Sequence, residues 1–296
     1  MFKNSIKDRF KRSWDLTKKT FHVMSHDKEI ILFPILSAVF SIVLFLLLIF
    51  PVVLSVMAGK FSTGAGSLYV GVFVFYFVAA FAATFFNAGV VHIARTRFEG
   101  GDATFMDGIR TGFKHFKHIL GWSLITATVG LILNILTSQA EEKGGIAGVI
   151  GKIVISLIGL VWAIVSVFVV PAMVIKGIGP IKALKSSVKA IKKTWGESLI
   201  KYYGLGFAKG IIIGVAFLIF LIPAIIMMVG QSFIIAGVLL GIFVLIFTMT
   251  IVIFSSANTV FDTALFLYAD TGKVPSFYDE EVIKHAFVSK PKKGIF

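Results

Sequence analysis

The sequence predicts an all-α membrane protein: six transmembrane helices in one bundle, with amphipathic helices on its cytoplasmic side, forming a single integral membrane domain over residues 1–296. Three observations carry that prediction. Hydrophobic residues make up 57% of the 296 and charged residues 15%, with a mean hydropathy of +0.94, a balance suited to lipid rather than water. Six apolar stretches each reach the roughly 18–20 residues a helix needs to cross ~30 Å of hydrocarbon, and none alternates like a barrel strand. The 29 Lys and Arg residues gather between alternate stretches and, against 15 acidic residues, leave a net charge of +14.

The elements follow in order. Residues 1–28 are polar and basic, hold eight Lys or Arg, and contain no short apolar run ending in a small-residue cleavage site, so the first span, 29–57, is expected to be retained. Span two covers 68–94 and is followed by five basic residues from Arg95 to Lys117. Spans three and four, 119–136 and 146–175, precede seven more basic residues from Lys176 to Lys201. Spans five and six, 203–228 and 233–267, precede a last five after Asp270. The other loops contain only Lys60 and Lys143, while Lys152 and Lys209 fall inside spans. The positive-inside rule therefore places both termini and the second and fourth loops in the cytoplasm, the spans crossing the cell membrane.

Within "GPIKALKSSVKAIKKTWGE", residues 179–197, Ile181, Leu184, Val188, Ile191 and Trp195 recur at helical spacing, while Lys182, Lys185, Lys189, Lys192 and Lys193 occupy the remaining surface. Pro180 suits the first turn. The apolar stripe either sinks into the headgroup boundary beside anionic inner-leaflet lipid or packs on the ends of the protein's own spans. The five lysines are the candidate site for anionic lipid or a cytoplasmic partner. Nucleic acid is not an expected partner, because the aromatic-studded basic groove of such binders is missing.

Related segments recur. "SWDLTKKTF" (13–21) matches "SVKAIKKTW" (187–195), and "TGFKHFKHI" (111–119) keeps the hydroxyl start, the Lys and the apolar end. "GGDATFMD" (100–107) matches "GKVPSFYD" (272–279), each after a span containing an Asn, Asn87 or Asn258. Thr104 and Ser276 are expected helix N-caps, with Asp107 and Asp279 three residues on. The pattern predicts three pseudo-repeats, 1–98, 99–175 and 176–270, each an amphipathic helix plus a two-span hairpin, with a cytoplasmic tail at 271–296.

Small residues at four-residue spacing, Gly206/Gly210/Gly214, Gly237/Gly241 and Gly144/Gly148, are expected to pack helices within the chain, with homo-oligomerisation or another membrane protein as the alternative use. Ionisable residues inside spans are costly. Lys209 and Asp262 lie at similar depth counted from the cytoplasmic ends of spans five and six, and are expected to pair. Ser255, Asn258 or Thr259, and Asp262 share one stripe, giving an intramembrane polar seam that is either structural or a solute path. Lys152 is expected to snorkel, and His92 with Asn87 to serve the inner end of span two. The pairs His22/His26 and His115/His118 lack a third ligand, so they read as interfacial polar residues, with no metal and no cofactor expected. Zero cysteines excludes disulfides and thiolate chemistry. No His-Glu-x-x-His, Gly-x-Ser-x-Gly or Walker A pattern occurs, so the chain has no candidate catalytic residue and is not expected to be an enzyme.

"RSWDLTKKTFHVMSHDKEIILFPILS", "GWSLITATVGLIL", "VVPAMVIKGIGPIKALKSSVKAIKKTWGE" and "ALFLYADTGKVPSFYDEEVIKHAF" resemble segments of a family of prokaryotic six-span membrane proteins classed as a domain of unknown function. The resemblance covers nearly the whole chain and implies the topology above, without a substrate or catalytic residue. The Pro-to-Lys-x-Ser element around residues 171–186 is also similar to one in membrane portions attached to some glycerophosphodiesterases, where a Glu is expected at the place of Lys176. The leading functional expectation is a non-enzymatic membrane scaffold binding lipid or a partner. The alternative is a transporter or channel for a small solute or lipid, using the seam of spans five and six.

Overall fold

Long runs of Leu, Ile, Val, Phe and Ala leave the backbone no hydrogen-bond partner but itself in lipid, and helices are the result. The computed structural model describes residues 18, 20–22, 24, 25, 29–57, 65–194 and 203–278. The described regular structure is helical: α1 (Glu29–Met57), α2 (Ala65–Phe98), α3 (Phe105–Lys114), α4 (Phe116–Lys143), α5 (Gly145–Ser166), α6 (Val169–Lys176), α7 (Pro180–Thr194), α8 (Tyr203–Ala216), α9 (Ile222–Val229) and α10 (Phe233–Thr271). Five helical stretches are long and apolar enough to cross a membrane: Val70–Phe98, Phe116–Lys143, Gly145–Lys176, Ala208–Val229 and Phe233–Thr271. Glu29–Phe40, within α1, is a shorter apolar stretch.

Two expected spans are interrupted near a proline. Pro171 lacks the N–H that a continuous helix would need, and the fourth span turns at Val167–Phe168 between α5 and α6. Pro223 stands second in α9, and the one-residue surplus it demands is absorbed by a π-helical turn, Phe217–Leu221, joining α8 to α9.

Several helices outrun the bilayer. At 1.5 Å per residue, the 39-residue α10 is about 58 Å long and the 34-residue α2 about 51 Å, against ~30 Å of hydrocarbon. The surplus is where the protein packs. Fully buried large side chains include Ile30, Phe33, Val90, Val91, Ile93, Ile119, Phe168, Met173, Leu265 and Phe266, all toward the end of the bundle that carries α3, α6 and α7. Toward the opposite end large apolar side chains stay open, among them Ile146, Val149, Val229, Ile234 and Val238.

α2 is the central element, packed by α1, α3, α4, α6 and α10. α5 leans on α4 and α7, while α8 and α9 lean on α10. The spans form a row, α5–α4–α2–α10–α8, with α1 against both α2 and α10. A closed ring of three hairpins would pair α5 with α8; among the described residues those two share no packed interface.

Glycines decide the closest approaches. A Cβ on Gly89 or Gly108 would lie 2.3 or 2.4 Å from the Phe33 ring, so this ring from α1 fills a notch shared by α2 and α3. Gly112 receives Phe85 in the same way, at 2.7 Å. Gly148 meets the Ala140 carbonyl at 2.6 Å and closes the α4–α5 hairpin as expected. The other rows correct the expectation of internal packing. Gly206, Gly210, Gly214, Gly237 and Gly241 face open space among the described residues, where an added Cβ would meet nothing within 4 Å. α8 buries Ala208 and Ala216 instead, a face whose centre is turned about 160° from that of the glycine row at 100° per residue.

Candidate functional site

The lysine helix α7 is held by small side chains. Ala183, Ser187 and Ala190, spaced four and three, are buried, while Leu184 and Ile191 reach the edge of the core. The packed row is therefore not the large apolar stripe: Leu184, Val188 and Ile191 are partly covered and Ile181 stays 62% exposed. Small residues allow closer approach of α7 to the bundle than the stripe would. Lys182, Lys185, Lys189 and Lys192 are exposed on the far side. The Lys193 side chain and Trp195 lie outside the described residues.

Ser187 does more than fit. Its hydroxyl donates to the Val165 carbonyl at 2.6 Å and accepts from the Phe168 N–H at 3.2 Å, so α7 supplies partners for backbone groups exposed at the break in the fourth span. The start of α7 abuts α4, where Pro180 would lie 3.2 Å from a Cβ on Gly121.

α3 is built the same way. Thr104 caps it in a reciprocal box: the Asp107 N–H donates to Thr104 Oγ1 (3.3 Å), and the Thr104 N–H donates to Asp107 Oδ2 (3.0 Å). These bonds from Thr104 hold the Asp107 carboxyl below its ordinary value. Gly108, Thr111 and Gly112 face inward. Outward lie Met106, Phe113 (64% exposed) and Phe116 (41%), with Arg110, Lys114 and Lys117 exposed among them. Phe113 packs edge-on against Phe85 at 5.2 Å, and Phe116 against Phe81 at 5.5 Å. This aromatic corner was not foreseen as a site, although Phe113 and Phe116 flank a lysine in "TGFKHFKHI".

His115 is buried in the α3–α4 turn, 6.0 Å ring to ring from His118. Burial first, then the nearby His118 and Lys114 charges, lower its pKa. His22 is exposed beside Phe277, 6.3 Å between rings, and His26 lies outside the described residues. Among the described residues, no three His, Cys, Asp or Glu come together as a metal site.

Along the expected seam, Ser255, Asn258 and Asp262 on α10 and Lys209 on α8 are all partly buried. Thr259 Oγ1 lies within donor reach of Asn87 Oδ1 (3.2 Å) and the Ser255 carbonyl (3.1 Å), tying α10 to α2. An ion pair between Lys209 and Asp262 is not among those of the described residues. The reason is depth. α9 and α10 meet in a tight turn at residues 230–232, so their levels count from there. Lys209 is about 30 Å from that turn along the helix and Asp262 about 45 Å, leaving about 15 Å between their levels.

Ion pairs among the described residues include Arg97–Asp102 (2.6 Å), Lys152–Glu141 (3.1 Å) across the α4–α5 hairpin, and Lys176–Asp270 (2.5 Å) between α6 and α10. Lys176 also stands 5.4 Å over the Phe266 ring. Near the C-terminal end, Tyr278 is buried, its hydroxyl 3.0 Å from Thr20 Oγ1, and burial raises its pKa. The Ser276 hydroxyl donates to the Phe98 carbonyl (2.8 Å) at the end of α2, and the helix it is expected to cap lies outside the described residues.

A search of curated proteins finds no match. A family model does match, over residues 65–276, from the first residue of α2 to the serine whose hydroxyl returns to the last. The matched stretch takes in all five membrane-length helices together with α3 and α7, and on it the chain belongs to the family of unknown function DUF6159.

Proposed function

We propose that the protein is a non-enzymatic scaffold of the cell membrane whose basic cytoplasmic collar binds anionic inner-leaflet lipid. In this reading α1 is a sixth span and both termini are cytoplasmic, as the distribution of Lys and Arg requires. One observation carries the reading: α7 docks through Ala183, Ser187 and Ala190, and so presents Ile181 and the exposed lysines together on its outer side. An apolar edge beside a cationic face is what a headgroup boundary accepts, each basic residue near an anionic surface contributing roughly 1 kcal/mol. Lys182, Lys185, Lys189, Lys192 and Lys193 changed together to Gln are expected to abolish preference for anionic over zwitterionic vesicles, a preference that salt also weakens. Undiminished preference in that variant overturns the assignment to α7.

A transport reading has its own support: two interrupted spans and an Asn87–Thr259 hydrogen bond between long apolar helices. Solute flux into proteoliposomes that falls in Asp262→Asn would favour transport, and no flux in the native protein would remove it.

A further inference from the structure

The corner between α3 and α4 sits at a depth that can be counted. Phe113 and Phe116 pack on Phe85 and Phe81 of α2. Measured from Val70, where the membrane-length stretch of α2 begins, Phe81 is about 16 Å along the helix and Phe85 about 22 Å. Both fall in the inner half of ~30 Å of hydrocarbon. The exposed faces of Phe113 and Phe116 therefore lie in the inner part of the acyl region, with Leu120 and Leu124, both exposed on α4, continuing the apolar surface.

Charge is arranged to match. Arg110, Lys114 and Lys117 are exposed on the same corner. Arg110 has only a long contact of 3.4 Å to Asp107, and Lys114 and Lys117 make no ion pair among the described residues. Apolar rings in the inner part of the acyl region with cations one turn away suit one kind of occupant: a phospholipid whose headgroup carries net negative charge. A soluble acidic protein would satisfy the cations but leave Phe113 and Phe116 without apolar cover.

We infer that the α3–α4 corner is an anionic-lipid site, with Phe113 and Phe116 entering the acyl region and Arg110, Lys114 and Lys117 meeting the phosphate layer. It deepens the scaffold reading and rests on it in one respect, that the collar faces an anionic leaflet. It is nevertheless separate from α7 and testable apart from it.

The chain has no cysteine, so single substitutions carry one label each. In mixed phosphatidylcholine and phosphatidylglycerol vesicles, a nitroxide on Phe113→Cys or Phe116→Cys is expected to be relaxed more by oxygen than by a water-soluble nickel chelate, and one on Arg110→Cys the reverse. A water-exposed label at 113 overturns the site. Enrichment of spin-labelled phosphatidylglycerol around the full-length protein is expected to drop several-fold when Arg110, Lys114 and Lys117 all become Gln. Unchanged enrichment in that variant, with helicity and monodispersity intact, also overturns it. If enrichment survives the α7 Lys→Gln variant yet falls in the corner variant, the α7 assignment fails and the corner stands.

Discussion

Phe33 is held by the absence of two methyl groups. Its ring fills the notch over Gly89 and Gly108, so Gly89→Ala or Gly108→Ala forces it aside. Overpacking of this kind costs about 1–3 kcal/mol, while the gain in helix propensity returns at most ~1 kcal/mol. Both variants are expected to melt earlier than the native protein in detergent, and Phe33→Leu is expected to recover part of the Gly108→Ala loss. Tyr278 gives a pH signature. Burial raises its pKa above the unfolded value of about 10, so the neutral phenol is favoured in the folded state. That contribution is fully present below pH ~10 and is lost above it, by up to ~1.4 kcal/mol per pH unit. Alkaline melting curves should therefore flatten in Tyr278→Phe; an unchanged alkaline slope would show the phenol is not the cause. The Thr104–Asp107 box was legible because it is local. The Phe33 notch was not, because a phenylalanine in an apolar run reads equally well as lipid-facing.

At the scale of elements, the break between α5 and α6 depends on a side chain from a third helix. Ser187→Ala leaves the Phe168 N–H and Val165 carbonyl without their partner at a buried site, a loss of about 1–3 kcal/mol. Melting curves test this, and a variant as stable as the native protein would show that the break satisfies itself. The hydroxyl was legible as part of a repeated "S…KKT" pattern, but its role was not, since nothing local marks the partner. The relative depth of Lys209 and Asp262 was not legible for a related reason: the cytoplasmic ends of spans five and six are not marked in the sequence, and α10 runs on to Thr271. Nitroxide pairs should read Lys209 closer to Ile253 than to Asp262 by on the order of 10 Å, following helix rise; equal distances would restore the paired level. The two matched segments at 100–107 and 272–279 show how far local pattern reaches. Gly100 and Gly272 adopt the same left-handed conformation, with φ of +83° and +73°; Thr104 then opens a helix, and the Ser276 hydroxyl reaches back to the end of α2.

For the whole molecule, the apolar lengths and the basic loops were legible because bilayer thickness imposes a scale on sequence. Labelling of single cysteines is expected to place Lys143 and Lys189 on opposite faces of the membrane; both on one face would overturn the topology. The lateral order of the spans was not legible, since a lipid-facing helix and a protein-facing one can share a composition, as the open Gly206 row and the filled Gly148 contact show. The row of spans is also unevenly fastened. Its close packing gathers at the end with α3, α6 and α7, and its outermost members each lean on few neighbours. The molecule is thus riveted at one rim, like a fan, and held at the other mainly within neighbouring pairs such as α4 and α5, so stretching the far leaflet is expected to change how widely its blades spread before it disturbs the rivet.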